Sequence, residues 1–160
     1  MTARDDDVVT ASDEKGGAGQ SFDPPTAPPR HPLVRIAGDQ LTADTAQSPG
    51  MSRLEAISGK SVGAEHIWMG RTRVAPGARS ADHHHGASET AIHVVSGHPA
   101  FVFRLDGREV RIETEPGDFV WVPPFTPHRE ENPDPDEEAV VVIARSTQEP
   151  IVVNLPGLGP

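Results

Sequence analysis

With 160 residues, the chain has room for one domain of ordinary size, and a composition of 35% hydrophobic residues with 17 Pro and 15 Gly excludes a helical bundle of usual make-up. Fourteen Lys and Arg against 24 Asp and Glu leave a net charge of −10, with no basic run, which argues against nucleic acid and anionic membrane as partners. The absence of Cys excludes disulfide scaffolds, thiolate metal sites and cysteine nucleophiles, so the eight His are the chemically informative residues.

Residues 1–32 combine an acidic start (Asp5, Asp6, Asp7), a Gly-rich stretch and five prolines, with few large apolar groups. Such a segment cannot bury enough surface to offset its ordering entropy, and it is expected to be a disordered tail before a domain over 33–160. Asp5 to Asp7 stand where a signal peptide needs positive charge, and no stretch reaches the roughly 18 apolar residues of a membrane helix; a cytoplasmic protein is expected.

Met51 to Ser58, with Leu54 and Ile57 spaced by three, reads as a short helical turn. From His66 onward the period is that of strands. Nine are expected: His66–Val74, Ala81–His85, Thr90–Ser96, Ala100–Leu105, Arg108–Glu113, Phe119–Val122, His128–Glu131, Ala139–Ala144 and Ile151–Leu155. Asp106-Gly107 is a two-residue hairpin turn, since a type I′ turn needs positive φ at both central positions. The pattern specifies an all-β sandwich or barrel.

The densest chemical feature is Asp82-His83-His84-His85, followed by Glu89. On a strand His83 and His85 share one face and His84 the other, so two imidazoles stand side by side as half of a first-row metal site. Glu89 is a candidate oxygen donor, and His128, after Pro123, Pro124 and Pro127, a candidate third nitrogen ligand from a distant strand. One Arg of Arg71 and Arg73 entering the barrel would grip a carboxylate or phosphate; otherwise both lie on a solvated face. The acidic run Glu130, Glu131, Asp134, Asp136, Glu137, Glu138, broken by Pro133 and Pro135, reads as a solvated loop.

From Gly77 the spacing is Gly, five residues, His83, one residue, His85, three residues, Glu89, and later Gly97; from Gly117 it is Gly, five residues, Pro123, one residue, Phe125, two residues, His128, three residues, Asn132. These two segments resemble the paired motifs of the cupin superfamily. Thr45 to Met51 together with His83-His84-His85-Gly86 resemble a group of small single-domain bacterial cupins. The resemblance implies a double-stranded β-helix, the cupin jelly-roll barrel. It also implies one divalent transition metal per chain (Fe, Mn, Co, Ni, Cu or Zn), held by His83, His85, Glu89 and His128.

Three positions depart from the pattern. Phe125 stands where Gly is usual, and its ring either lines the mouth or packs in the core. Seven residues rather than six separate Glu89 from Gly97, so counting back from Gly97 puts Thr90 at the ligand position. A bulge near Glu89 would keep its carboxylate on the metal, which is preferred because it offsets charge in an apolar barrel; without a bulge, three His remain with Thr90 nearby. His93 follows the same choice: inward with Glu89 it is, like Glu89, a candidate catalytic residue, an acid or base beside the metal, and outward it is structural.

The functional expectation is a metal-dependent enzyme acting on a small molecule, of dioxygenase, decarboxylase or isomerase type; the alternative is a non-catalytic ligand-binding or metal-binding module. The chain contains no Tyr, which disfavours epimerase mechanisms that rely on one. A homodimer is expected, because jelly rolls leave edge strands unpaired and Ile151 to Leu155 is apolar.

Overall fold

In the computed structural model, the described residues are 32–148 and 151–159. The expected tail, apart from Pro32, lies outside them. From Val34 onward the chain forms one unit of two five-stranded antiparallel sheets. Its strands are β1 (Met51–Ile57), β2 (Trp68–Val74), β3 (His83–His84), β4 (Thr90–Ser96), β5 (Ala100–Leu105), β6 (Arg108–Glu113), β7 (Phe119–Val122), β8 (His128–Glu131), β9 (Ala139–Arg145) and β10 (Val153–Asn154). One sheet runs β1-β2-β9-β4-β7 and the other β10-β3-β8-β5-β6. This is the jelly-roll architecture that the cupin resemblance implies, and it meets the broader expectation of an all-β sandwich or barrel from the strand pattern.

Alternation explains the core. β9 buries Ala139, Val141, Ile143 and Arg145 while the residues between them are half-exposed, and β4 buries Thr90, Ile92 and Val94. Trp68, Ile92, Val94, Phe101, Val122, Val141 and Ile143 form the main apolar cluster between the sheets. Asp106 and Gly107 adopt φ of 50° and 74°, so β5 and β6 are joined by the expected positive-φ turn. Gly70 is required by space: a Cβ there would lie 2.5 Å from both the Leu54 carbonyl oxygen and the Trp68 ring.

The largest correction is β1. Met51 to Ile57 is a strand paired to β2 rather than a helical turn, and the short helix α1 (Gly59–Val62) follows it, capped by Ser58. The strand period is obscured because β1 turns Arg53 and Glu55 inward beside Met51, replacing the apolar alternation by charge. Gln47 braces this strand, accepting from the Arg53 N–H at 2.9 Å and donating to its carbonyl at 2.8 Å.

Candidate metal centre

His83 of β3 lies directly opposite His128 of β8 in the ladder, and His85 follows on the same face as His83. All three are buried, with ring centroids 4.5 to 5.1 Å apart. Glu130, two residues after His128 and on the same face of β8, is buried as well. The ring nitrogens of the three His and a carboxylate oxygen of Glu130 all lie within 4.8 Å of one another.

Hydrogen bonds fix which nitrogens face the centre. Nδ1 of His83 lies 2.8 Å from the Ala81 carbonyl oxygen and Nδ1 of His128 lies 2.9 Å from that of Thr126. A carbonyl only accepts, so both Nδ1 atoms carry the proton, and in the neutral rings both Nε2 atoms are lone pairs. Nη2 of Arg145 lies 3.3 Å from Nε2 of His85 and can only donate, so His85 too presents a lone pair and donates Nδ1–H to Thr90 Oγ1 at 2.8 Å. His83 Nε2 and His85 Nε2 are therefore two lone pairs 3.2 Å apart, and buried Nε2 of His128 has no hydrogen-bond partner. Three converging lone pairs and a carboxylate repel one another unless a cation lies between them, so the donor set fits a divalent metal.

The electrostatics agree. His85 is held well below the ordinary histidine range, first by burial and then by the Arg145 charge; His128 is lowered by burial and then by His83. Neutral imidazole is the form that ligates. Arg145 itself is pushed down to about 10, mainly by burial and next by the nearby Arg53.

Of the predicted residues, the structure brings His83, His85 and His128 together and leaves Glu89 and His93 out. Glu89 is exposed, its N–H donating to Ser146 Oγ. The register irregularity of β4 lies between Val94 and Ser96 rather than near Glu89, so Thr90 takes the inward position and the carboxylate points to solvent. His93 alternates outward with Ala91; its ring stacks on Phe119 at 4.4 Å and its Nδ1 lies 3.2 Å from the Asp118 carbonyl oxygen. Its expected catalytic position beside the metal is not what the register gives. His84 turns away from the cluster, accepting from the Gly86 N–H at 2.9 Å.

Glu130 lies in β8 rather than in a solvated acidic loop, and the His128-x-Glu130 spacing is the same same-face relationship as His83-x-His85. Arg53 and Arg145 enter the interior, whereas Arg71 and Arg73 lie on the outward side of β2. Arg145 continues the inward series Val141, Ile143, which was legible one residue past the expected strand end. Phe125 neither fills the core nor follows the usual Gly: it is exposed with φ of 57°, its ring 5.9 Å from that of His84.

A cavity of about 260 Å³ adjoins His128, walled by Phe101, Phe103, Ile112, Val120 and Val122. Ala81 and His83 border a second, more polar cavity of about 470 Å³ on the other side.

The fold is a jelly roll of the double-stranded β-helix class, and its buried three-His, one-carboxylate cluster is a donor set that could hold a metal ion. Residues 70–144 match the cupin domain family. The tetracenomycin polyketide synthase protein TcmJ of Streptomyces glaucescens is 32% identical over 71 residues, 44% of this chain and 46% of that protein. Oxalate decarboxylase of Bacillus subtilis superposes with a TM-score of 0.60 at 24% identity, covering 70% of this chain and 30% of that one. A structure of the same decarboxylase concerned with its Mn(II) centres gives 25% identity and a TM-score of 0.60 over 69% of this chain and 29% of that one. The chain thus spans less than half the length of either relative. Over residues 70–144 the chain is similar to the cupin domain family. Among the described residues no helix is long and apolar enough to cross a membrane.

Proposed function

We propose that the protein is a metal-dependent enzyme acting on a small molecule, with one divalent transition metal per chain held by His83, His85, His128 and Glu130. The observation that carries this reading is the convergence of three Nε2 lone pairs, one of them the unpartnered Nε2 of His128, on a single buried point. A divalent ion bound there supplies Lewis-acid or redox chemistry at positions the protein leaves open, which is the basis of dioxygenase, decarboxylase and isomerase reactions alike.

The chain's own residues do the rest. Ala81, Thr126 and Thr90 lock the three tautomers, Glu130 offsets charge, and the mostly apolar cavity beside His128 gives a small molecule room next to that ligand. Elemental analysis of protein purified without added metal, followed by turnover assays on keto acids, diketones and phenols under air and under nitrogen, tests the proposal. Product formation that tracks metal content supports it; a tight ligand with no turnover would make the protein a binding module instead.

A homodimer fits the surface. β7 is the free edge of its sheet and turns Phe119 and Trp121 outward, 78% and 62% exposed, beside Ala91 and Val95. β10, also an edge, pairs within the chain to β3. Light scattering at micromolar concentration tests this, a monomer being the contrary result.

A further inference from the structure

Among the described residues, the buried side chains of formal charge are Arg53, Glu55, Glu130 and Arg145, two cations against two anions. Glu55 is already engaged, accepting from Trp68 Nε1 at 2.8 Å and Ser58 Oγ at 2.6 Å. Adding a dication to this balanced interior leaves two surplus positive charges in a medium that penalises them strongly.

Arg145 shows where the balancing charge belongs. Its guanidinium lies 5.7 Å from the Trp68 ring centroid, and Nη1 donates to the Ile151 carbonyl oxygen at 3.3 Å. Nη2 has Nε2 of His85 as its acceptor, and buried Nε has none. Once His85 gives its lone pair to a metal, Nη2 loses that acceptor, and the Nε–Nη2 edge of the guanidinium, next to His85, is left without a partner. That edge presents two parallel N–H donors at the spacing of a carboxylate's oxygens.

We propose that the ligand of this centre is a small carboxylate with an apolar body, its carboxylate received by the Nε–Nη2 edge of Arg145 beside the metal. The proposal rests on the metal reading of the site. A carboxylate offsets one of the two surplus charges and supplies both missing acceptors together, which no neutral ligand does. The walls of the cavity beside His128 are mostly apolar, with Thr126 and Trp121 as the other polar-bearing side chains, which suits a hydrocarbon body better than the remaining oxygens of a phosphate. Arg53, with Nη1 donating to the Ala46 carbonyl oxygen and Nε unpartnered, adds positive potential near Arg145, whose Nη2 is the guanidinium nitrogen within hydrogen-bond distance of a ligating histidine.

The test uses the full chain stripped of metal and loaded with Co²⁺, read by visible absorption. Butyrate is expected to change the Co²⁺ spectrum saturably and to raise Co²⁺ affinity in return, while its neutral isostere butyramide and inorganic phosphate leave the spectrum unchanged. Arg145→Lys keeps the charge and removes the fork; it is expected to hold Co²⁺ and to weaken butyrate by about tenfold or more. Butyramide or phosphate matching butyrate, or equal butyrate affinity in Arg145→Lys and the parent, overturns the proposal. Should Arg145→Lys not fold, the butyrate and butyramide comparison on the parent decides alone. Failure of the parent to bind Co²⁺ instead overturns the metal reading, a distinct result.

Discussion

Thr90 Oγ1 lies 2.8 Å from Nδ1 of His85 and accepts its proton, so the residue next to Glu89 is the one that serves the metal centre. Thr90 is fully buried and Glu89 is exposed, which is what the strand alternation of β4 requires. Thr90→Val keeps the shape and removes the acceptor, leaving a buried N–H unpaired and the tautomer unlocked. Metal affinity is expected to fall by about 10- to 100-fold, and Glu89→Gln to leave it unchanged. Competition with a fluorescent chelator measures both, and the reverse order would restore Glu89 as the ligand.

Glu130 supplies the negative charge of the cluster from a buried position on β8. Glu130→Gln is close in shape and lacks that charge, so metal affinity is expected to drop while the fold survives. His84→Ala, which alters a side chain turned away from the cluster, is expected to bind as the parent does. Calorimetric titration with Mn²⁺ checks the pair; loss of binding in His84→Ala would contradict the assigned faces.

Metal-free protein is expected to lose stability between pH 7 and pH 5. His85 and His128 are held below the ordinary histidine range, by burial above all, whereas in the unfolded chain both titrate near the usual value of about 6.5. Above that pH neither state binds the protons, and their contribution to stability is fully present. Below it the unfolded state binds more protons than the folded one, so stability falls as pH falls, by up to about 1.4 kcal/mol per pH unit for each ring. Urea midpoints at pH 7.5 and 5.0 measure the effect. Equal midpoints would show that the rings are not buried neutral.

Asn132, 1% exposed, donates from Nδ2 toward the carbonyl oxygens of Val74, Ala75 and Glu137 at 3.1, 3.3 and 2.8 Å. It ties the end of β8 to β2 and to the loop before β9, which helps to seat the strand carrying His128 and Glu130. Asn132→Ala strands buried carbonyl groups and is expected to cost about 2–4 kcal/mol, read as a lowered denaturation midpoint. A cost below half a kcal/mol would mean that water replaces the amide.

The strands from β4 to β8 were legible to the residue because they are short runs bounded by turn residues such as Asp106-Gly107 and Pro123-Pro124, with apolar alternation clearest in β4. β1 was not, since an inward face built of Arg53 and Glu55 carries no hydrophobic period. The three His were legible from same-face spacing and from the resemblance to cupins. Glu89 misled because the seven-residue interval to Gly97 admits two registers, and only the pairing of β4 with β7 and β9 decides between them. Glu130 sat inside a run of acids whose charge suggested solvent. Arg145 is different: its role depends on Trp68, Ile151 and His85, which are remote in sequence from it or from one another.

The central claim is that three Nε2 lone pairs and Glu130 hold one ion. Calorimetric titration of Mn²⁺ into metal-stripped full-length protein, run beside His128→Ala, tests it most directly. The expected result is one equivalent per chain for the parent and no measurable binding for His128→Ala, the one substitution that removes the unpartnered nitrogen. Equal binding by the two proteins, or none by the parent, would contradict the account.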